Sequence, residues 1–299
     1  MNAVDGVSFS INEGETLGLV GESGCGKSVT ALSIMKLVPE PGQIVGGDVL
    51  FRNKDLLKMP DEDLRKIRGK QMAMIFQDPT ASLNPVFTVG DQISEVSIAH
   101  QNMSKSDAWL RAAEMLKTVG VPSPDQRVSN YPHEFSGGMR QRAMIAMGLT
   151  CEPSLLIADE PTTNLDVTIQ AQILELMKEM KSKFKTSILL ITHDMGIVAE
   201  TCDKVAIMYA GEIVEYGETD EIFFNPKHPY TQKLMECIPR GKKLHELQTI
   251  AGSVPDLIKP PTGCKFHPRC PMAFDICSKE RSILKETVPN HTVSCHLYD

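Results

Sequence analysis

The sequence of 299 residues contains no apolar run close to the roughly 20 residues that span a bilayer. It also lacks an excess of positive charge. Its formal net charge of −7 at pH 7 argues against a nucleic-acid-binding protein that uses a broad basic surface. Its first residues lack the order of charged, apolar and small residues that marks a secretion signal. We therefore expect a chain that does not cross a membrane by itself, although it could dock on a protein that does.

Residues 21–28 form the pattern G-x-x-x-x-G-K-[ST]. A short apolar strand over Thr16–Val20 is predicted before the pattern and a helix over residues 29–36 after it. Such a loop directs backbone N–H groups at phosphate oxygens, and the helix dipole adds positive potential. We therefore predict a nucleotide site rather than a chance glycine turn, in which Lys27 neutralises the β- and γ-phosphates and Ser28 binds Mg²⁺. The residues predicted to bind nucleotide here are Gly21, Glu22, Ser23, Gly24, Cys25, Gly26, Lys27, Ser28 and Val29.

Cys25 lies inside this loop at a predicted helix start, where a thiol pKa could be lowered. The alternative is that Cys25 is simply a small residue that fits a tight loop.

An apolar run over residues 155–158 ends in two acids, Asp159 and Glu160. Beside a phosphate loop, Asp159 would hold Mg²⁺ through water and Glu160 would act as the general base for the attacking water. Many core strands end in acids, so this prediction depends on the phosphate loop.

Residues 136–138, Ser-Gly-Gly, precede a predicted helix over residues 138–149. Ser136 is a good N-cap residue, and Gly137 and Gly138 leave backbone N–H groups exposed at a helix N-terminus. The segment is either a second anion site or an ordinary capped helix.

Apolar strands that alternate with helices predict an α/β fold with a mostly parallel sheet. Residues 89–150 show helical patterns and no convincing strand, so we expect an inserted helical subdomain. Residues from 239 onward are rich in proline and cysteine, and we expect a separate, loop-rich piece. The predicted division is a core over 1–88, the helical subdomain over 89–150, the rest of the core over 151–238 and a Cys-rich extension over 239–299. The predicted strands are 49–51, 72–76, 155–158, 187–192 and 205–209, and the longest predicted helix is 167–183.

Six motifs together resemble the ATP-binding-cassette ATPases over residues 4–230. In order, they are the phosphate loop, Gln77, Ser136-Gly137-Gly138, Asp159-Glu160, Asn164-Leu165-Asp166 and Ile191-Thr192-His193-Asp194. The resemblance implies a P-loop NTPase (RecA-like) core with an antiparallel β edge, and a nucleotide held between the phosphate loop of one subunit and the Ser136 segment of another.

The resemblance also assigns roles to single residues. Gln77 contacts Mg²⁺ and senses the transporter, His193 contacts the γ-phosphate, and Asp166 helps to align the dimer. Glu160, His193 and Gln77 are thus the expected catalytic residues.

Further segments narrow the resemblance to the ATPase subunits of dipeptide and oligopeptide importers, a group that includes nickel importers. They are Phe135-Ser136-Gly137-Gly138-Met139, Phe76-Gln77-Asp78-Pro79, Ser82-Leu83-Asn84-Pro85, Glu160-Pro161-Thr162-Thr163, His228-Pro229-Tyr230 and the Cys-rich end. This implies an ATPase that drives peptide uptake from the cytoplasmic face of the membrane. Its expected partners are a second ATPase subunit (a paralogue or an identical copy), two transmembrane permease subunits and, indirectly, a solute-binding protein. The alternatives are an ATPase for nickel or another small solute, a soluble cassette ATPase outside transport, and a catalytically inactive cassette.

Four of the eight cysteines lie near the C-terminus, at Cys264, Cys270, Cys277 and Cys295. No two of them have the close spacing of a zinc knuckle, and four thiolates suit Zn²⁺ or an iron–sulfur cluster equally well by ligand type. The other four are scattered, which favours a reducing compartment and a metal site over a disulfide framework. The family resemblance implies a [4Fe–4S] cluster, with Zn²⁺ or free thiols as alternatives.

One departure from the family is at the start of the chain. Family members carry an upstream strand and an aromatic residue that stacks on adenine, whereas this sequence opens inside the expected fold. Either the start is truncated or the adenine contact comes from elsewhere.

Overall fold

The structure is a computed structural model, which describes residues 1–163, 165–238 and 250–299. The chain forms two compact units, each described by itself below. Unit 1 comprises Met1–Ile11, Thr16–Gly47 and Leu190–Asp299, and unit 2 comprises Asn12–Glu15 and Asp48–Leu189. No helix among the described residues is both long enough and apolar enough to cross a bilayer.

The secondary structure alternates strands with helices, as the sequence predicts. The strands are β1 (Thr16–Val20), β2 (Leu50–Phe51), β3 (Lys54–Asp55), β4 (Met72–Ile75), β5 (Leu155–Asp159), β6 (Ser187–Thr192), β7 (Lys204–Tyr209), β8 (Glu212–Glu218), β9 (Lys285–Val288) and β10 (His291–Val293). The helices are α1 (Lys27–Ile34), α2 (Asp61–Ile67), α3 (Pro79–Ser82), α4 (Val89–Gln101), α5 (Lys105–Thr118), α6 (Pro124–Arg127), α7 (Gly137–Leu149), α8 (Val167–Phe184), α9 (Met195–Thr201), α10 (Thr219–Phe224) and α11 (Pro229–Glu236).

Unit 1 is built on a mixed sheet. The second half of β6 lies beside β1, followed by β7, β8, β10 and β9. β1 pairs with β7 in parallel, with Leu19 opposite Ala206, and every residue of β1 is buried. A strand that is covered on both faces is mostly apolar in sequence instead of alternating, which explains why β1 could be predicted.

The C-terminal extension takes part in this sheet, which corrects the expectation of a separate piece. β10 pairs antiparallel with β8, with Thr292 opposite Tyr216, and β9 pairs with β10. Val293 and His291 are 1% and 0% exposed. The sequence did not indicate β10, because three residues that include a histidine and a threonine carry too little alternation to mark a strand.

Unit 2 holds the remaining parallel strands and the helical segment. β4 pairs in parallel with β5, with Met74 opposite Ile157, and β5 is followed by the first half of β6. Residues 89–150 contain helices and no strand. In α4 the Thr88 hydroxyl accepts from the Asp91 N–H while the Asp91 carboxylate accepts from the Thr88 N–H, which satisfies two donors at the helix start.

The short β2 and β3 form an antiparallel pair.

The four-part domain division predicted from the sequence stays a prediction.

Candidate nucleotide-binding site

The predicted phosphate loop lies between β1 and α1 in unit 1. Gly26, the N-cap of α1, has a φ of 107°, and a Cβ at this position would overlap the carbonyl oxygen of Ala3. Only glycine combines this backbone conformation with so close an approach of another chain segment. The first turn of α1 therefore starts directly at the loop, in the arrangement that binds anions elsewhere.

Lys27 is 5% exposed and is held by the loop itself. Its Nζ donates to the carbonyl oxygens of Gly21 and Glu22 at 2.8 and 3.0 Å. The ammonium group thus lies inside the curve of the loop, where the sequence predicts phosphate binding. Ser28 is half-buried in the same helical turn.

Cys25 is fully buried. Desolvation raises the pKa of its thiol, in spite of the neighbouring Lys27 ammonium that acts in the opposite direction. The possibility of a lowered thiol pKa is therefore wrong. Cys25 is a small buried residue of a tight loop.

Glu22 of the loop is bound by the C-terminal extension, which the sequence did not indicate. The Arg269 guanidinium donates to both carboxylate oxygens of Glu22, at 2.7 and 3.0 Å. This carboxylate raises the pKa of Arg269 further above its ordinary value. The Glu22 N–H donates to the hydroxyl of Tyr230 at 3.1 Å. No local pattern could have signalled the pair, because its members are 247 positions apart in the chain.

In unit 2, two predicted catalytic side chains meet at the end of the parallel strands. Gln77 follows β4, and Glu160 follows β5 directly. Nε2 of Gln77 donates to Oε2 of Glu160 at 3.0 Å, and the Thr163 hydroxyl donates to the same oxygen at 2.9 Å. Glu160 also has a φ of 46°, in the left-handed region that costs a non-glycine residue about 1–3 kcal/mol. Asp159, the last residue of β5, is 4% exposed.

Ser136 caps α7 as predicted. Its hydroxyl accepts from the Met139 N–H at 3.3 Å, and Ser136 and Gly137 are exposed. A Cβ on Gly138 would approach the Ile169 side chain to 3.0 Å, so the glycine allows α7 to start close to α8. The capped end of α7 is thus open to a ligand or partner.

The two remaining family positions also lie at exposed element ends. Asp166 caps α8, its carboxylate accepting from the Ile169 N–H at 3.0 Å. His193 follows β6 and is exposed. Unit 1 holds the phosphate loop and His193. Unit 2 holds Gln77, Asp159, Glu160, Asp166 and the Ser136-Gly137-Gly138 segment. Asn164 of the family motif lies outside the described residues.

The four C-terminal cysteines line one cavity in unit 1. Apolar side chains of Phe266, Met272, Phe274 and Leu297 also line it, and the Cys264 N–H donates to the Cys277 carbonyl at 2.8 Å. Burial raises the pKa of the Cys264 and Cys270 thiols and raises that of Cys295 to about 11. Neighbouring thiols add to this effect, because each disfavours a second negative charge nearby.

The expected metal site is not supported. Within the described parts of the chain, no three His, Cys, Asp or Glu side chains are placed to hold a metal ion. A zinc ion would need its thiolates gathered around one point, so the alternative of Zn²⁺ does not fit. The four sulfurs share a cavity without forming such a site.

Comparison with known proteins agrees with the motif order. Residues 4–163 match the family model described as ABC transporter, and residues 214–277 match the model described as oligopeptide/dipeptide transporter, C-terminal region.

Curated relatives match almost the whole chain. A probable peptide ABC transporter ATP-binding protein of Sinorhizobium fredii is 52% identical over 98% of this chain and 88% of its own length. The oligopeptide transport ATP-binding protein AppD of Bacillus subtilis is 53% identical over 99% of this chain and 91% of its own length. OppD of Escherichia coli, also an oligopeptide transport ATP-binding protein, is 50% identical over 99% and 87%.

A solved structure shows the same fold. The dimeric post-hydrolysis state of the ATP-binding cassette MJ0796, bound to ADP and Pi, superposes with a TM-score of 0.65 and 27% identity over 73% of this chain and 90% of that chain. The predicted α/β cassette fold is thereby confirmed, apart from the C-terminal extension. With a family model that spans more than half of the sequence and relatives at about half identity, the chain belongs to the ABC transporter family as one of its ATP-hydrolysing cassettes.

Proposed function

We propose that this chain is the ATPase subunit of an importer that carries dipeptides or oligopeptides across the cytoplasmic membrane. The observation that carries the proposal is the match of residues 214–277 to the C-terminal region of oligopeptide/dipeptide transporters, since this segment lies beyond all six ATPase motifs. The names of the relatives described above support the same cargo. Nickel or another small solute is the alternative cargo within the same subfamily.

In the proposed reaction the phosphate loop binds the triphosphate. Lys27 donates to two carbonyl oxygens of its own loop, and a γ-phosphate oxygen would replace them as the acceptor. The exchange is favourable because a charged acceptor forms the stronger bond with an ammonium group. The loop N–H groups and His193 would share the remaining phosphate charge, so that binding depends on position and charge rather than covalent chemistry.

Glu160 would orient and deprotonate the attacking water. The two donors Gln77 and Thr163 bind the same carboxylate oxygen of Glu160, which fixes the orientation of the carboxylate that would accept the water's proton. A carboxylate held by two hydrogen bonds loses less freedom on reaction than a free one. This supports the general base role.

Mg²⁺ would supply neutralisation of the phosphate charge. The residues that would hold it are Ser28, Gln77 and Asp159, whose hydroxyl, amide and carboxylate oxygens suit a hard cation. The Gln77 amide nitrogen is engaged by Glu160, so its carbonyl oxygen is the atom available for the ion.

The proposed assembly contains a second ATPase subunit, two transmembrane permease subunits and, indirectly, a solute-binding protein, and no nucleic acid. It places this chain on the cytoplasmic face of the membrane as a peripheral subunit. The exposed, Ser136-capped end of α7, with Asp166 at the start of α8, would complete the nucleotide site of the partner ATPase. Residues 78–98 would receive a permease subunit. The similarity to a dimeric cassette structure supports this arrangement.

The test uses the chain reconstituted in vesicles with the permease and ATPase subunits encoded beside it. Uptake of a labelled dipeptide and a labelled pentapeptide is measured against uptake of Ni²⁺. In each case ATP is supplied either on the side of the vesicle membrane that carries the ATPase subunits or on the opposite side. Peptide uptake that depends on ATP and disappears in Glu160→Gln supports the proposal. Uptake of Ni²⁺ without peptide, or ATP hydrolysis that ignores both permease and peptide, would contradict it.

We also propose an iron–sulfur cluster at the four C-terminal cysteines. A [4Fe–4S] cluster is held by one thiolate on each iron, so its ligands need not gather around a single point as they do for zinc. Four cysteines around one cavity with apolar walls support this donor set. Iron and acid-labile sulfide in anaerobically purified protein, both lost in a Cys295→Ser variant, are the expected result. Protein with neither element would rule the cluster out.

A further inference from the structure

The part-buried ion pair between Arg269 and Glu22 joins the C-terminal extension to the phosphate loop. Arg269 has a 6% exposed side chain and Glu22 a 27% exposed one. The pair is bidentate, with N–O distances of 2.7 and 3.0 Å. Bidentate geometry fixes the direction of the carboxylate as well as its distance.

The same guanidinium is anchored on its other sides. Nε donates to the carbonyl of Ala251 at 2.9 Å and Nη2 to that of Ile250 at 3.3 Å. Nη1 donates to the hydroxyl of Tyr209 at 3.2 Å, and the guanidinium carbon lies 5.8 Å from the centroid of that ring. Arg269 therefore acts from a fixed position, because each of its three nitrogens is bound.

On the loop side, the main chain of Glu22 is hydrogen-bonded directly to Lys27, the lysine predicted to bind phosphate. Its carbonyl oxygen accepts from Lys27 Nζ at 3.0 Å, and its N–H donates to Tyr230 at 3.1 Å. A shift of Glu22 would therefore move an acceptor of the Lys27 ammonium and change the curve of the loop. The side chain of Glu22 sets where its main chain lies.

Aromatic packing supports both ends of this link. The Phe266 ring lies 5.2 Å from the Tyr209 ring and 5.3 Å from the Tyr230 ring. Phe266 is 1% exposed, and its carbonyl oxygen accepts from the Arg269 N–H at 2.9 Å. The extension thus holds the arginine, and both tyrosines, against the loop as one packed group.

We propose that Arg269 is a positioning residue for ATP binding, which holds the phosphate loop in its binding conformation through Glu22. The C-terminal extension then contributes to ATP binding, because it supplies the arginine that positions the phosphate loop. The inference rests on the ATPase function proposed above for the same loop. Arg269 itself need not touch the nucleotide.

The test measures the ATP dissociation constant and the steady-state kinetics of Arg269→Ala, Arg269→Lys and Glu22→Gln. We expect Arg269→Ala to raise Kd and KM for ATP about 2- to 30-fold, the range of coupling through a packed network. The kcat at saturating ATP stays close to the wild-type value, because the groups of the hydrolytic step are untouched. Arg269→Lys also weakens ATP binding, since lysine keeps the positive charge but cannot form the two parallel hydrogen bonds of a guanidinium with a carboxylate.

Arg281→Ala is the matched control. Arg281 belongs to the same extension and pairs with Asp5 and Glu212 at 2.8 and 3.1 Å, without an ion pair to the loop among the described contacts. We expect this variant to lower the thermal midpoint and leave Kd unchanged. A purely structural role of Arg269 would give the same pattern as the control.

The double variant Glu22→Gln/Arg269→Ala separates the mechanism from general loosening. If Arg269 acts through Glu22, the double variant binds ATP no more weakly than Arg269→Ala alone, whereas independent effects add. Wild-type Kd in both Arg269 variants, or additive effects, would overturn the inference. If Arg269→Ala does not fold, Arg269→Lys and Glu22→Gln decide alone, and wild-type Kd in both overturns it. Failure of the peptide-import proposal shows separately, as wild-type protein that binds ATP but drives no peptide uptake.

Discussion

Gln77 binds the carboxylate of Glu160 from the end of the neighbouring parallel strand, with 3.0 Å between Nε2 and Oε2. The contact follows from the pairing of β4 with β5, since the carboxyl ends of parallel strands meet at one edge of a sheet. It links the residue that the family resemblance assigns to sensing the transporter with the one it assigns to hydrolysis. A movement of Gln77 would therefore change the orientation of Glu160, the proposed general base.

Glu160→Gln should abolish turnover and preserve ATP binding. An amide cannot accept the water's proton, so we expect kcat to fall about 10²- to 10⁴-fold, while the Kd for ATP stays near that of the wild type. Phosphate release and equilibrium binding of a fluorescent ATP analogue measure the two quantities. Glu175→Gln, the same change at an exposed residue of α8, is the control and should leave both unchanged. Wild-type turnover in Glu160→Gln would remove Glu160 from the catalytic step.

Ser136→Ala should impair hydrolysis by more than its effect on stability explains. Loss of an N-cap costs about 1 kcal/mol, because the Met139 N–H loses its acceptor. Ser104→Ala is the matched control, since the Ser104 hydroxyl caps α5 through the Asp107 N–H. Equal losses of unfolding free energy, measured in urea, with a loss of ATPase activity in Ser136→Ala alone are expected. Equal ATPase activity in the two variants would reduce Ser136 to an ordinary cap.

His228 should make the protein less stable below neutral pH. Burial lowers the pKa of its imidazole from 6.5 to about 4, although Glu215 acts in the opposite direction. Its Nδ1 accepts from the Tyr230 N–H at 3.0 Å, so protonation at this atom would break the cap of α11. The unfolded chain binds the proton more readily between these two pKa values. The contribution of neutral His228 to the free energy of unfolding is therefore fully present above pH 6.5 and is lost as the pH falls toward 4.

The size of this effect follows from linkage. The shift corresponds to about 3 kcal/mol of unfolding free energy at most. Urea unfolding at a series of pH values from 7.5 to 4 measures it. His228→Asn keeps a cap acceptor without a titrating ring, so its stability should fall less steeply over the same range. Equal slopes for the two proteins would show that another group causes the acid dependence.

His291→Ala should detach the end of the C-terminal extension. Its Nε2 lies 2.7 Å from a carboxylate oxygen of Glu215, and both side chains are 0% exposed. Removing the imidazole leaves a buried carboxylate with one partner fewer, which we expect to cost about 3 kcal/mol. Thr292→Ala, at the next residue of β10, loses only a 3.4 Å contact to Tyr216 and should cost much less. Chemical denaturation of both variants, with hydrogen exchange of β9 and β10, provides the measurement.

The sequence predicted the elements in which the pattern is local. β1 is a short, mostly apolar segment and α8 an amphipathic one, and both lie within a residue or two of their predicted bounds. The conformation of residues 21–28 follows from glycine spacing. The order of the motifs along the chain was also enough to identify the family, because this order does not depend on how far apart the motifs lie in the folded protein.

Other features of the site were beyond the reach of the sequence. Glu160 has a left-handed backbone conformation, which a glutamate in a sequence does not predict. The lowered pKa of His228 depends on its complete burial, which only the folded structure shows. The spacing between the four C-terminal cysteines also does not state how near their sulfurs lie, and within the described residues no three His, Cys, Asp or Glu side chains are placed to hold a single metal ion.

The amino-acid order alone determined that this chain has a phosphate loop, a set of carboxylates after apolar strands and a serine-capped helix. Those properties belong to short stretches of backbone, whose conformational preferences act within a few residues. Only the tertiary structure decided that Arg269 binds Glu22 across 247 positions and that β10 extends the sheet of β8. Such contacts form when packing of the whole chain brings distant segments together, and no local preference encodes them.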